Sequence, residues 1–322
     1  MESIILSYTQ EEMDMNMKRW MKGLSVSLML VAAAAGFGGC GSSGGGSGQQ
    51  PFTIAYAPNE STEQSADARS ALSADLGKAL GREVKEISAS DYNGIIEALR
   101  TKKADMAYLG AEGISLANQR LDGNVDVIVM KAPDGDKAKA LYHSVFITRA
   151  DRSDINSLQD VKGKKMAFVD PGSTSGNLIP TSMLMKAFAN ENLDSETLHM
   201  NEKFFSSAMY AGKHQASIQA VAKGDVDVAA VSDQILQAEI NNGNVNAGDI
   251  KVIATSDPIP SEGMIIRADM DQNLRKTLTD FLLQYNNEDY FTKVIKVKGA
   301  RFVEASKADY QPIIELNQLL NT

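Results

Sequence analysis

The chain has 322 residues, a formal net charge of −9, 43% hydrophobic residues and one cysteine. Its acidic balance argues against nucleic acid or anionic lipid as a partner, because the long-range field repels both. One cysteine excludes an intramolecular disulfide, and the scattered histidines His143, His199 and His214 make no metal-ligand pattern with it. No metal or cofactor is therefore expected.

The first segment reads as a targeting signal. Lys18, Arg19 and Lys22 form a basic patch, Leu24 to Ala35 is uncharged and mostly apolar, and small residues lead to Cys40. That is the layout of a secretory signal, and the apolar run falls short of the roughly 20 residues that span a bilayer. Glu2, Glu11, Glu12 and Asp14 lie upstream, unlike a basic leader, so Met17 is the expected start. Phe37-Gly38-Gly39-Cys40 resembles a bacterial lipobox, with Phe37 where leucine is usual. Gly41 to Gln50 is a flexible Gly/Ser/Gln tether. The expectation is a signal over 1–39, a lipidated Cys40 with its linker over 40–50, and an extracytoplasmic domain anchored to the cell membrane.

Beyond the linker, strands and helices alternate. Phe52 to Ala57 reads as a strand closed by Pro58, Glu63 to Leu80 as a helix stopped by Gly81, and Val84 to Ser88 as a second strand. Asp91 suits the N-cap of a helix from Tyr92 to Thr101. Ala104 to Leu109 is a third strand, Gly110 to Arg120 a helix, and Val125 to Lys131 a fourth strand. This alternation implies an α/β fold with a mainly parallel sheet covered on both faces. A second α/β pattern begins near Arg149. It runs through a strand Met166 to Val169, a helix Leu178 to Asn190, a strand near Leu198 to Asn201, a helix Gln215 to Lys223 and a strand Val226 to Val231. The remainder has no room for a third domain and returns to the first. Lobe 1 is thus expected over 51–148 and 254–322 and lobe 2 over 149–253, with crossings near Tyr142–Thr148 and Lys251–Thr255. Two lobes joined twice make a hinged clamp whose cleft is the natural ligand site.

The most informative segment is Asp170-Pro171-Gly172-Ser173-Thr174-Ser175-Gly176-Asn177, between a strand and a helix. Three hydroxyls at a helix mouth suit a tetrahedral oxyanion, because the first helical N–H groups lack intrahelical acceptors and the dipole is positive there. The same residues also suit a plain capped helix start. With Ser90 to Arg100, Ala104 to Gly110 and Pro180, this segment resembles the solute-binding lipoproteins of phosphonate/phosphite/phosphate ABC importers, the PhnD-like periplasmic binding proteins. The resemblance covers about Phe52 to Ile266. It implies a type II two-lobed periplasmic-binding-protein fold with the ligand between the lobes.

By that resemblance Ser173, Thr174 and Ser175 hold the oxyanion, Tyr92 and Tyr142 contact it, and His214 reaches it, its protonation favoured by the anion. Outside the resemblance, His214 reads as a surface helix residue beside Lys213. Asp233 lies one position off the family's glutamate, and Glu262 stands where the family has an aspartate; either pairs with a ligand ammonium or accepts a proton from a protonated oxyanion. Asp233 otherwise caps the helix Gln234 to Asn241, and Glu60 is a weaker third acid. The implied partners are an ABC permease and, through it, an ATPase, for a protein acting as a monomer. A sensory lipoprotein using the same clamp is the alternative. A Ser/His hydrolase built on Ser173 or Ser175, His214 and Asp233 lacks a G-x-S-x-G elbow and any other catalytic machinery, so no enzyme is expected.

Overall fold

The computed structural model describes residues 50–320. The signal, Met17, Cys40 and nearly all of the tether lie outside them. Among the described residues no helix is long and apolar enough to cross a membrane.

Among the described residues, thirteen strands and the helices between them form two α/β lobes. The strands are β1 Phe52–Tyr56, β2 Val84–Ser88, β3 Met106–Leu109, β4 Val125–Ala132, β5 Leu141–Tyr142, β6 Ser144–Arg149 and β7 Lys165–Phe168. They continue with β8 Ser207–Tyr210, β9 Val228–Ser232, β10 Ile250–Thr255, β11 Ile259–Pro260, β12 Gly263–Arg267 and β13 Arg301–Glu304. One sheet has the order β13-β4-β12-β3-β1-β2 and the other β10-β6-β9-β7-β8. In each, the pairs nearest the cleft motifs are parallel: β1 with β2 and β3, and β7 with β8 and β9. β1, β3 and β9 are buried almost throughout, as strands covered on both faces require. Each sheet carries hydrophobic clusters on its two faces.

The chain passes between the sheets at β5 and β11, which pair antiparallel, Ile259 with Tyr142. The expected crossings Tyr142–Thr148 and Lys251–Thr255 are therefore displaced. Residues Ser144–Arg149 and Ile250–Thr255 are β6 and β10, in register with one another inside the second sheet. Their apolar residues supply that lobe's core, so the passage falls to the short segments beside them.

One element differs in kind. The segment read as a strand near Leu198–Asn201 overlaps the end of the helix Ser195–His199, which the Asp194 carboxylate caps by accepting from the Thr197 N–H. The sheet edge is filled instead by β8, Ser207–Tyr210. The helix expected over Leu178 to Asn190 is an α-helix Ile179–Ala187 followed by a 3-10 turn Ala189–Glu191, and a π-helical turn Thr174–Leu178 leads into it.

Candidate functional site

The end of β7 leads through Asp170 and Pro171 into the π-turn, and its wide winding sets the cup. Leu178 N–H bonds Ser173 O, so the N–H groups of Thr174 and Ser175 precede the first intrahelical bond. Ser173 caps the turn, its Oγ accepting from the Gly176 N–H at 3.1 Å. Ser144, at the start of β6, donates to Ser175 O at 2.6 Å and fixes the floor.

A small cavity of about 20 Å³ lies between this turn and lobe 1. That is room for little more than one water molecule, so a larger solute enters only when the lobes part. Its walls include Ser173, Thr174, Ser175, His214, Tyr92, Tyr142, Glu60 and Glu262, together with Asn59, Tyr108 and Gly110. The structure thus brings together seven of the eight expected site residues.

Asp233 is not among these wall residues. Its carboxylate accepts from the His143 N–H at 3.1 Å and meets the His143 ring at 3.1 Å, at a half-exposed position. Nor does Asp233 cap its helix: Ser232 is the N-cap, its Oγ accepting from Ile235 N–H.

The hydrogen-bond directions give the cup its polarity. Thr174 Oγ1 accepts from the Glu112 N–H at 2.8 Å, and Tyr92 OH accepts from Asn59 Nδ2. Ser173 Oγ accepts from Gly176 and lies 3.4 Å from His214 Nε2. In each case an N–H occupies a lone pair, which leaves the hydroxyl proton to be donated. Burial raises the pKa of the Tyr142 phenol, against the hydroxyls of Ser175 and Thr174.

His214 is 3% exposed. Its Nδ1 accepts from the Ser232 N–H at 3.2 Å, so a neutral ring carries its proton on Nε2, toward Ser173. Burial, with Lys131 nearby, lowers its pKa to about 3. In the ligand-free protein the ring is a neutral donor.

The far end of the cavity is acidic but not bare. Glu262 Oε2 lies 2.6 Å from Lys131 Nζ, and that ammonium sits 5.6 Å from the Tyr142 ring centre. Glu60 Oε2 is buried with no hydrogen-bond partner. Burial, reinforced by the charge of Glu262, raises the Glu60 carboxyl to about 8. Lys131 and Asn59 were not singled out from the sequence. Lys131 closes an apolar strand run, and its partner lies far along the chain.

The raised Glu60 has a measurable consequence. Between its ordinary 4.5 and about 8 the folded state keeps a proton that the unfolded state releases. Its stabilising contribution is whole below pH 4.5 and disappears as pH rises through 8. Glu60→Gln is therefore expected to gain stability relative to wild type as pH increases across that window. Urea unfolding of the ligand-free proteins at both ends measures it, and an unchanging difference contradicts the assignment.

The lobes also meet through caps supplied across the cleft. Asp170 Oδ2 accepts from Tyr92 N–H at 3.4 Å, at the start of helix Tyr92–Arg100, and Thr174 caps helix Ala111–Arg120, whose own N-cap is Gly110. Asn59 Oδ1 accepts the His214 N–H at 3.1 Å.

Residues 54–310 match the family model described as "ABC transporter, phosphonate, periplasmic substrate-binding protein". The chain belongs to this family. The family places the chain outside the cytoplasm, among substrate-binding proteins of transporters. The chain is 32% identical over 216 residues to the phosphate-import protein PhnD of Mycolicibacterium smegmatis, covering 65% of this chain and 64% of that protein's length, just under two thirds. It is 30% identical over 247 residues to the phosphonates-binding periplasmic protein of Escherichia coli, covering 75% of this chain and 68% of the other. The crystal structure of a binding-protein component of a phosphonate ABC transporter from Pseudomonas aeruginosa superposes with a TM-score of 0.72 at 25% identity, over 85% and 87% of the two chains. PhnD1 of Prochlorococcus marinus, solved with methylphosphonate, gives 0.71 at 21% identity, over 84% and 98%. The latter likeness bears on the fold, which is that of the type II periplasmic binding proteins.

Proposed function

We propose that this protein captures a small phosphorus oxyanion, a phosphonate, phosphite or phosphate, by closing its lobes, and delivers it to an ABC permease without chemical turnover. Cys40 carries the lipid that holds it at the membrane. The oxyanion end of the site is Ser173, Thr174, Ser175, Tyr92, Tyr142 and His214. The observation that carries the reading is the donor polarity of the cup, in which the Ser173, Thr174 and Tyr92 hydroxyls each already accept from an N–H. Neutral donors suit reversible capture of an anion by an acidic protein, since they bind without a fixed positive charge that must be released.

Glu60 and Glu262 form the other end. The unpartnered Glu60 Oε2 favours a ligand bringing its own donor, either an ammonium or the P–OH of a monoprotonated phosphate. Isothermal titration with 2-aminoethylphosphonate, phosphate, phosphite, methylphosphonate and sulfate tests this. The expected result is binding of phosphorus oxyanions without product formation, with 2-aminoethylphosphonate, which adds an ammonium, tighter than methylphosphonate by about 10-fold. No heat with any phosphorus oxyanion overturns the assignment, and methylphosphonate binding tightest overturns the role given to Glu60. Permease and ATPase genes beside this one separate transport from a purely sensory role.

A further inference from the structure

A second cavity lies between the lobes, on the other side of the π-turn. It has a volume of about 230 Å³ and is walled by Glu112, Leu116 and Asn93 of lobe 1 and by Asn177, Thr181 and Tyr210 of lobe 2, among others. Glu112 and Thr181 are 3% and 2% exposed, and Glu112 Oε2 and Thr181 Oγ1 are both buried without a hydrogen-bond partner. Neither takes part in the oxyanion site through its side chain.

Two orphaned acceptors on facing lobes, in a space of this size, make a built polar site. Arg120 is a cation on the wall, but it is not a charge that acts on Glu112. Burial alone, with no neighbouring charge, raises the Glu112 carboxyl to about 8. Beside the acid are Leu116, Leu178 and the stacked rings of His199 and Tyr210, whose centres lie 5.4 Å apart. The combination of a buried carboxyl, a hydroxyl, aliphatic side chains and an aromatic face matches one end charged and donor-rich, the other hydrocarbon.

We propose that this cavity binds a small organic ammonium, its N–H groups on Glu112 and Thr181 and its hydrocarbon part against Leu116, Leu178 and Tyr210. Both lobes supply the walls, so the occupant binds the closed arrangement and stabilises it. The site is separate from the oxyanion cavity, with which it shares no wall residue.

The test is thermal unfolding of the whole protein in ethylammonium chloride against equal sodium chloride. At ten times the dissociation constant, wild type is expected to melt about 3 °C higher in ethylammonium. Glu112→Gln, which keeps the side-chain shape, and Thr181→Val are each expected to lose that excess. Tetramethylammonium, a cation without N–H donors, is expected to give none. The proposal fails if wild type shows no excess shift, if both variants shift as wild type does, or if tetramethylammonium works equally well. Should Glu112→Gln not fold, Thr181→Val carries the comparison, since it removes a hydroxyl alone.

Discussion

Replacing His214 with alanine is expected to weaken phosphorus-oxyanion binding by about 100-fold and to destabilise the protein by about 3 kcal/mol. Two different losses produce these effects. The first is the Nε2–H donor beside Ser173, held in that tautomer because Nδ1 accepts from Ser232 N–H. A donor to a charged acceptor contributes about 1.5–3 kcal/mol, which sets the affinity loss. The second is structural: the buried Ser232 N–H loses its acceptor and a ring-sized void opens under the cap of helix Asp233–Asn241. Titration calorimetry well below the melting temperature separates the two. Wild-type affinity in the variant would show that His214 does not donate to the ligand. The ring also predicts the acid response of the ligand-free protein. Its pKa is depressed from 6.5 to about 3, so its contribution to stability is whole above 6.5 and lost as pH falls toward 3.

The hydroxyl-lined turn after β7 was legible because its parts are local. A strand, a turn and three hydroxyls stand within a dozen residues, and the N-terminal N–H groups of any helix need partners. The alternation of β1 to β4 with helices was legible for a similar reason, since buried parallel strands read as continuous apolar runs. What was not legible depends on contacts between distant segments. Lys131 and Glu262 meet only because β4 and β12 are neighbours in the sheet. The neutrality of His214 follows from complete burial, whereas its sequence neighbours Lys213 and Gln215 suggest a surface position. Asp233 carried the right chemistry at nearly the right place, but His143 holds its carboxylate and Ser232 takes the cap. The lobe crossings were misplaced by a few residues because a strand that serves a sheet and a strand that links two sheets have the same apolar pattern.

Gly176→Ala is expected to lower the melting temperature by about 6 °C or more and to abolish detectable binding. A Cβ at this position meets Val169 Cγ2 at 2.3 Å, Val169 Cβ at 2.4 Å and Ser173 Oγ at 2.9 Å. Rotating Val169 cannot relieve a clash with its own Cβ, so the backbone has to move. The bond from Val169 N–H to Gly176 O, 2.9 Å long, is the tie that breaks, and it is what folds the π-turn back onto β7. Losing it displaces Ser173 and the cup together. Two other glycines provide the contrast. A Cβ on Gly172 meets Tyr92 Cβ at 2.8 Å, and one on Gly110 meets Thr174 Oγ1 at 2.8 Å, each across the cleft. Those clashes lie between the lobes and not within one, so Gly172→Ala and Gly110→Ala are expected to lower the melting temperature less than Gly176→Ala does while losing affinity. Melting curves and titrations on the three variants make the comparison. A Gly176→Ala protein that melts and binds as wild type does would mean that the cup is not built by this turn.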